Sequence, residues 1–155
     1  LRDPNYQPAA VAESRPPAPP DITRNAREFT ALVRTEIFKF LLPLSLRTYA
    51  AALAALDGEA AAPEGPPWSP ESLGAAAEAF FEARGRLRFD PEARNGRHTH
   101  VTRSDDGKSW RVAQTLVDPE DHNDWQAEFS VDLARAREEG RPFLRLLGVG
   151  PIASQ

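Results

Sequence analysis

The chain has 155 residues, 41% hydrophobic and 27% charged, with a formal net charge of −4. This suits one core of modest size and is opposite in sign to the basic footprint of a domain devoted to gripping nucleic acid. There is no cysteine, which excludes disulfides, thiolate zinc sites and cysteine nucleophiles.

The chain starts at Leu1 and contains no methionine, which reads as a fragment of a longer protein. No apolar run approaches the ~20 residues of a membrane span, and no signal-peptide layout is present, so a cytoplasmic setting is expected. Residues 1–20 are rich in Pro and Ala, with Pro16, Pro17, Pro19 and Pro20 close together and Tyr6 as the one large apolar anchor. That composition predicts an extended linker. A single unit is expected over 21–152, with a tail at 153–155.

Asn25 is a candidate N-cap, with Glu28 three residues on. Phe29, Leu32, Val33, Ile37, Phe40, Leu41 and Leu44 then recur at spacings of three and four, which predicts one buried helix face. Pro43 predicts a kink or a break, after which Leu42, Leu46, Tyr49, Leu53 and Leu56 carry a shifted pattern to Asp57-Gly58. An Ala/Pro/Gly loop is expected over 59–67. Ser69-Pro70-Glu71 then starts a helix to about Arg84, with Leu73, Ala76, Ala77 and Phe80 inward and Gly85 as C-cap.

Beyond Gly85 the period changes to alternation, giving strand candidates at 86–89, 97–103, 109–117, 124–133 and 142–149. Asp105-Asp106-Gly107-Lys108 reads as a hairpin turn and Asp118 to Asn123 as a longer connection. Residues 134–141 are left open, with a helical turn before Gly140 as one reading. The expected class is α+β, with two or three N-terminal helices on one face of a four- to five-stranded antiparallel meander.

No phosphate loop, zinc-binding H-E-x-x-H or G-x-S-x-G elbow is present. His98 and His100, two apart on an expected strand, would share a face but lack a third metal ligand, so no metal site is assigned. Asp118, Asp121 and Asp124, with His122 among them, have the wrong spacing for an EF-hand and read as a structural turn. Arg84, Arg86 and Arg88 alternate at the helix-to-strand junction, and Arg97, Arg103 and Arg111 would lie near them on the sheet. With Trp110 as a stacking aromatic, this set is the candidate nucleic-acid surface; pairing of the arginines with Glu128 and Asp132 is the ordinary alternative. Trp68 and Trp125 read as core or interface anchors.

Several ordered words carry more than averages do. They are Asn25-Ala26-Arg27-Glu28-Phe29 with Leu32-Val33-Arg34 and Phe38, Asp90 to Arg94, and Trp110-Arg111-Val112 with Gln114, Leu116 and Asp118-Pro119. Asp121-His122 with Asp124-Trp125, Val131 to Ala134, and Glu139-Gly140 complete them. Over about 21–150 the chain resembles the domain of unknown function that closes a group of bacterial superfamily-two DEAD/DEAH-box helicases. The resemblance implies a parent whose motor domains use ATP and Mg to remodel RNA or DNA. This fragment would hold no catalytic residues and no cofactor, and would pack on the motor core to position nucleic acid or a partner. The rival is a free-standing ligand-binding or small-enzyme domain with a pocket between helices and sheet, built on His98, His100, Trp110 and Asp124. A third reading is a docking module with an uncovered apolar helix face.

Overall fold

A computed structural model describes residues 21–56 and 67–152. The expected linker over 1–20, the Asp57-Gly58 stop, residues 59–66 of the loop and the 153–155 tail lie outside the described residues.

Helix α1 spans Ala26–Ser45, and the Asn25 side chain accepts from the Glu28 N–H at its start. Its buried stripe is Phe29, Val33, Ile37, Phe40, Leu41 and Leu44. Pro43 lies inside the last turn, and the helix breaks just beyond it at Arg47, whose φ is 60°. The Pro43 carbonyl is then capped by both the backbone N–H and the hydroxyl of Thr48, each at 2.9 Å. α2, Tyr49–Ala55, therefore starts without a side-chain cap, giving two consecutive helices. Leu46, at the break, is 66% exposed, and Leu32 and Leu42 are on the outer side of α1, Leu42 at 46% exposure. Leu32 and Leu42 leave the expected core because at about 100° per residue they fall on the far side of α1 from its buried stripe, and Leu46 leaves it because the helix ends there.

α3 spans Pro70–Arg84, opened by a reciprocal Ser69/Ser72 capping box with Pro70 in the first turn and closed by Gly85 at φ 89°. Leu73, Ala77, Phe80 and Phe81 face inward, with Ala76 half-buried. Gly74 lets α2 approach closely, since an added Cβ would sit 3.1 Å from the Tyr49 ring. The Trp68 indole N–H donates to the Leu146 carbonyl at 2.9 Å, tying the start of α3 to the last strand.

The strands β1 (Thr99–Arg103), β2 (Ser109–Leu116), β3 (Trp125–Asp132) and β4 (Leu144–Pro151) form an antiparallel sheet in the order β1-β2-β3-β4. The expected strand at 86–89 is absent: only the Arg88 N–H reaches the sheet end, at the Val117 carbonyl, and Leu87 is buried as a loop anchor. The stretch 97–103 begins as a 3-10 turn, Gly96–His98, before β1. The open stretch after β3 is α4, Leu133–Glu139, capped by Asp132 and ended by left-handed Gly140. α1 and α3 cover one sheet face, and α2 packs against both helices. Phe29 meets Trp110 edge-on at 5.0 Å, Phe40 meets Phe129 at 5.6 Å and Phe80 meets Trp125 at 5.7 Å. A β-bulge at Glu128/Phe129 shifts the β4 register and leaves Leu147 unpaired.

Phe40→Ala should lower unfolding stability by about 3–5 kcal/mol, whereas Leu46→Ser should stay within about 0.5 kcal/mol of the parent. Urea titration followed by tryptophan fluorescence checks both; equal losses at the two sites would contradict this packing.

Candidate functional site

Side chains alternate across a strand, so the burial of Trp110, Val112, Phe129, Val131, Leu144 and Leu146 sends their neighbours to the opposite face. The pairing places Thr102, Arg111, Ser130 and Arg145 in one row across all four strands of that outer face. The next row is His100, Ala113, Glu128 and Gly148. Small residues in these rows leave a low floor from which the arginines rise.

Two adjoining concavities of about 660 and 450 Å³ share Ser109, Ser130 and Arg145 and run between the β1–β2 hairpin and α4. Their walls carry six cations, Arg103, Lys108, Arg111, Arg135, Arg137 and Arg145, and two carboxylates, Asp105 and Asp132. Three of the cations have acidic neighbours at the margin: Arg111 to Glu128 at 3.9 Å, Arg135 to Glu139 at 3.6 Å and Arg137 to Asp21 at 3.5 Å. Such exposed pairs are weak and exchange readily for another anion. Arg103, Lys108 and Arg145 form no ion pair among the described residues. Phe143 supplies an apolar wall, with the Arg135 guanidinium 4.1 Å from its ring centroid. Guanidinium groups spaced along an open groove present forked donors suited to phosphate oxygens.

The arginines read from sequence divide into two groups. Arg111 is in the groove; Trp110 borders it as well but is 5% exposed, packing edge-on against Phe29 with the Arg103 guanidinium 5.8 Å from its ring centroid. Arg84, Arg86, Arg88 and Arg97 lie away from the groove. Arg84, in the last turn of α3, clamps Asp124 through two N–H groups, one at 3.0 Å. Arg88 bridges Asp90 and Asp121, each at 3.0 Å. Arg97 pairs with Glu92, and Arg86 is exposed on the loop after α3. Hydrogen bonds donated to Asp124 and Asp90 push the Arg84 and Arg88 guanidiniums further up, and the Arg84 contact holds Asp124 below its ordinary range. Arg145, Arg135, Arg137 and Lys108 were not singled out from sequence. Arg145 alternates with Leu144 and Leu146, but its proximity to Arg111 depends on a register set through β3.

The acidic turn is a brace. Asp118 is 1% exposed and accepts from the Glu120 and Asn123 N–H groups at 3.1 and 3.0 Å and contacts His122 Nδ1 at 2.8 Å. Burial alone would raise its carboxyl, but these hydrogen bonds outweigh it and hold Asp118 well below the usual carboxylate range. Left-handed backbone at Asp121 and Asn123 wraps the loop around this carboxylate. No cluster of three or more metal-ligating side chains occurs among the described residues.

The rival pocket set does not converge. His98 is buried in the 3-10 turn, while His100 is on the outer sheet face. Trp110 and Asp124 lie toward opposite ends of β2, on the order of 20 Å apart at the usual rise per residue. No described helix is long and apolar enough to cross a membrane.

A family model described as a domain of unknown function (DUF3516) matches residues 1–149. No curated protein and no solved structure matches the chain.

Asp118→Ala, which strips a buried acceptor from two loop N–H groups, should cost on the order of 3 kcal/mol. Because the folded Asp118 pKa lies below the unfolded value of about 3.9, its stabilisation is complete above that pH and is lost as pH falls through the folded pKa. Thermal melts from pH 7 to pH 2 should therefore show an acid-side decline that is shallower in Asp118→Asn, and an unchanged slope would count against the brace.

Proposed function

The chain belongs to this family of domains of unknown function, DUF3516, and on that footing we propose that it is a non-catalytic accessory domain that seats a nucleic-acid backbone on the outer face of its sheet. The observation that carries the reading is the concentration of six cations against two carboxylates in one groove of a chain whose net charge is −4. A segregated cationic face on an acidic chain attracts a polyanion locally and steers it in one orientation. Polar donors and small side chains along the floor contact a backbone without reading bases.

The parent we propose is a DEAD/DEAH-box helicase of the cytoplasm, on the strength of the sequence words from Asn25 to Gly140. Motor domains elsewhere in that parent would hold ATP and Mg, and this domain would pack beside them and guide RNA or DNA. The row from Thr102 to Arg145 runs from one edge strand of the sheet to the other, the path that a continuous strand would follow.

Fluorescence anisotropy with labelled single-stranded RNA and duplex DNA between 50 and 200 mM salt tests the reading. Affinity should fall steeply with salt, and Arg111→Ala with Arg145→Ala should weaken binding about tenfold and reduce the salt slope by about two. Arg86→Ala, at the other end of β2, should leave both unchanged. Salt-independent binding, or a double variant that binds like the parent, would remove the groove from consideration.

A further inference from the structure

A second cationic cleft lies on the helix side of β1, away from the groove. Arg27, Thr30, Ala31 and Arg34 follow one another at i, i+3, i+4 and i+7 along α1, and they face Gly96 and Thr99 across about 450 Å³ of open space. No carboxylate lines it. Neither Arg27 nor Arg34 forms an ion pair among the described residues.

Arg34 is held in place for a ligand rather than by one. One of its terminal N–H groups donates to the Arg94 carbonyl, and its Cζ is 5.2 Å from the Phe38 ring centroid. Its Nε, however, is buried with no acceptor. An unsatisfied guanidinium N–H is costly, and the cost vanishes when an oxyanion arrives. Gly96 lies directly beside the guanidinium, since a Cβ added there would be in ordinary van der Waals contact with the Arg34 Cζ at 3.8 Å. On the far wall the Thr99 hydroxyl is positioned by a 2.5 Å bond to Gln114 Oε1. Gln114 is fully buried behind Thr99 and does not line the cleft.

We propose that this cleft, Arg27, Thr30 and Arg34 of α1 against Gly96 and Thr99, binds a single phosphate group. Two guanidiniums lining a carboxylate-free cleft, one of them with a spare buried N–H, match an oxyanion in charge and supply its donors, since the Thr30 and Thr99 hydroxyls already donate to the Ala26 carbonyl and to Gln114. The phosphate belongs either to a nucleic-acid strand that passes the β1 edge or to a small phosphorylated ligand. The proposal does not rest on the sheet-face groove, because the two sites share no residue.

Titration of the ¹⁵N-labelled full chain with inorganic phosphate, against chloride at matched ionic strength, decides it. Phosphate should selectively move the Gly96 and Thr99 amides and the Arg34 Nε–H resonance. Arg27→Gln, at an exposed position without structural partners, should weaken the phosphate effect roughly threefold to tenfold. Arg34→Gln should do so more strongly if it folds. Equal responses to phosphate and chloride, or an Arg27→Gln protein that binds phosphate like the parent, overturn the proposal. The Arg111→Ala, Arg145→Ala double variant should keep the phosphate response, and losing it would also overturn a separate site. A single-stranded RNA oligomer that moves the same resonances in the parent assigns the phosphate to a strand; if inorganic phosphate alone moves them, the source is a small ligand, and the cleft stands in both cases.

Discussion

Edge-to-face contacts of Phe29 on Trp110 and Phe40 on Phe129 seat α1 on the sheet, and the period of two along β2 and β3 makes everything else follow. Once Trp110, Val112, Phe129 and Val131 are committed to the helices, Arg111 and Ser130 have only the opposite face available. A slip of one residue in that pairing would bury Arg111 and expose the aromatic seam, so packing of the apolar face and exposure of the cationic face are one constraint. The β-bulge beside Phe129 lets β4 bring Leu144 and Leu146 inward and Arg145 outward despite its extra residue.

Two groups of the described arginines differ in what they pair with. Those near the end of α3 fasten secondary structure: Arg84 holds Asp124 and Arg88 spans Asp90 and Asp121, so the last turn of α3 and the loop after it are bound to the connection between β2 and β3. That connection is rigid because Asp118 is buried and ringed by donors. The arginines of the outer face have at most marginal acidic neighbours, and Arg145 has none among the described residues. Charge pairing, more than charge count, separates these two groups, and a net charge of −4 is compatible with a cationic groove when the acids are used elsewhere.

Helix caps and turns were legible because their chemistry is local. Asn25, Ser69-Pro70 and Gly85 set the limits of α1 and α3 through bonds spanning three or four residues, and Gly107 marks the hairpin. The alternation in β3 likewise announced a strand with one buried face. The stretch 86–89 alternates too, yet forms no strand, because only one of its backbone groups finds the end of β2. Trp110 and Arg111 are adjacent in sequence, but adjacency along a strand puts their side chains on opposite faces, so the two cannot form one surface in the way their sequence positions suggest.

The sequence by itself determined the α+β class, the helix limits, the four real strands and the structural character of the acidic turn, since each depends on periodicity or on bonds between near neighbours. Only the tertiary structure decided which arginines are fastened and which are free to meet a ligand. Arg84 meets Asp124 across 40 residues, Arg111 reaches Arg145 through β3, and Arg34 faces Gly96 across the gap between α1 and β1. Those distances close only when the apolar face is buried, and no local pattern in the chain encodes them.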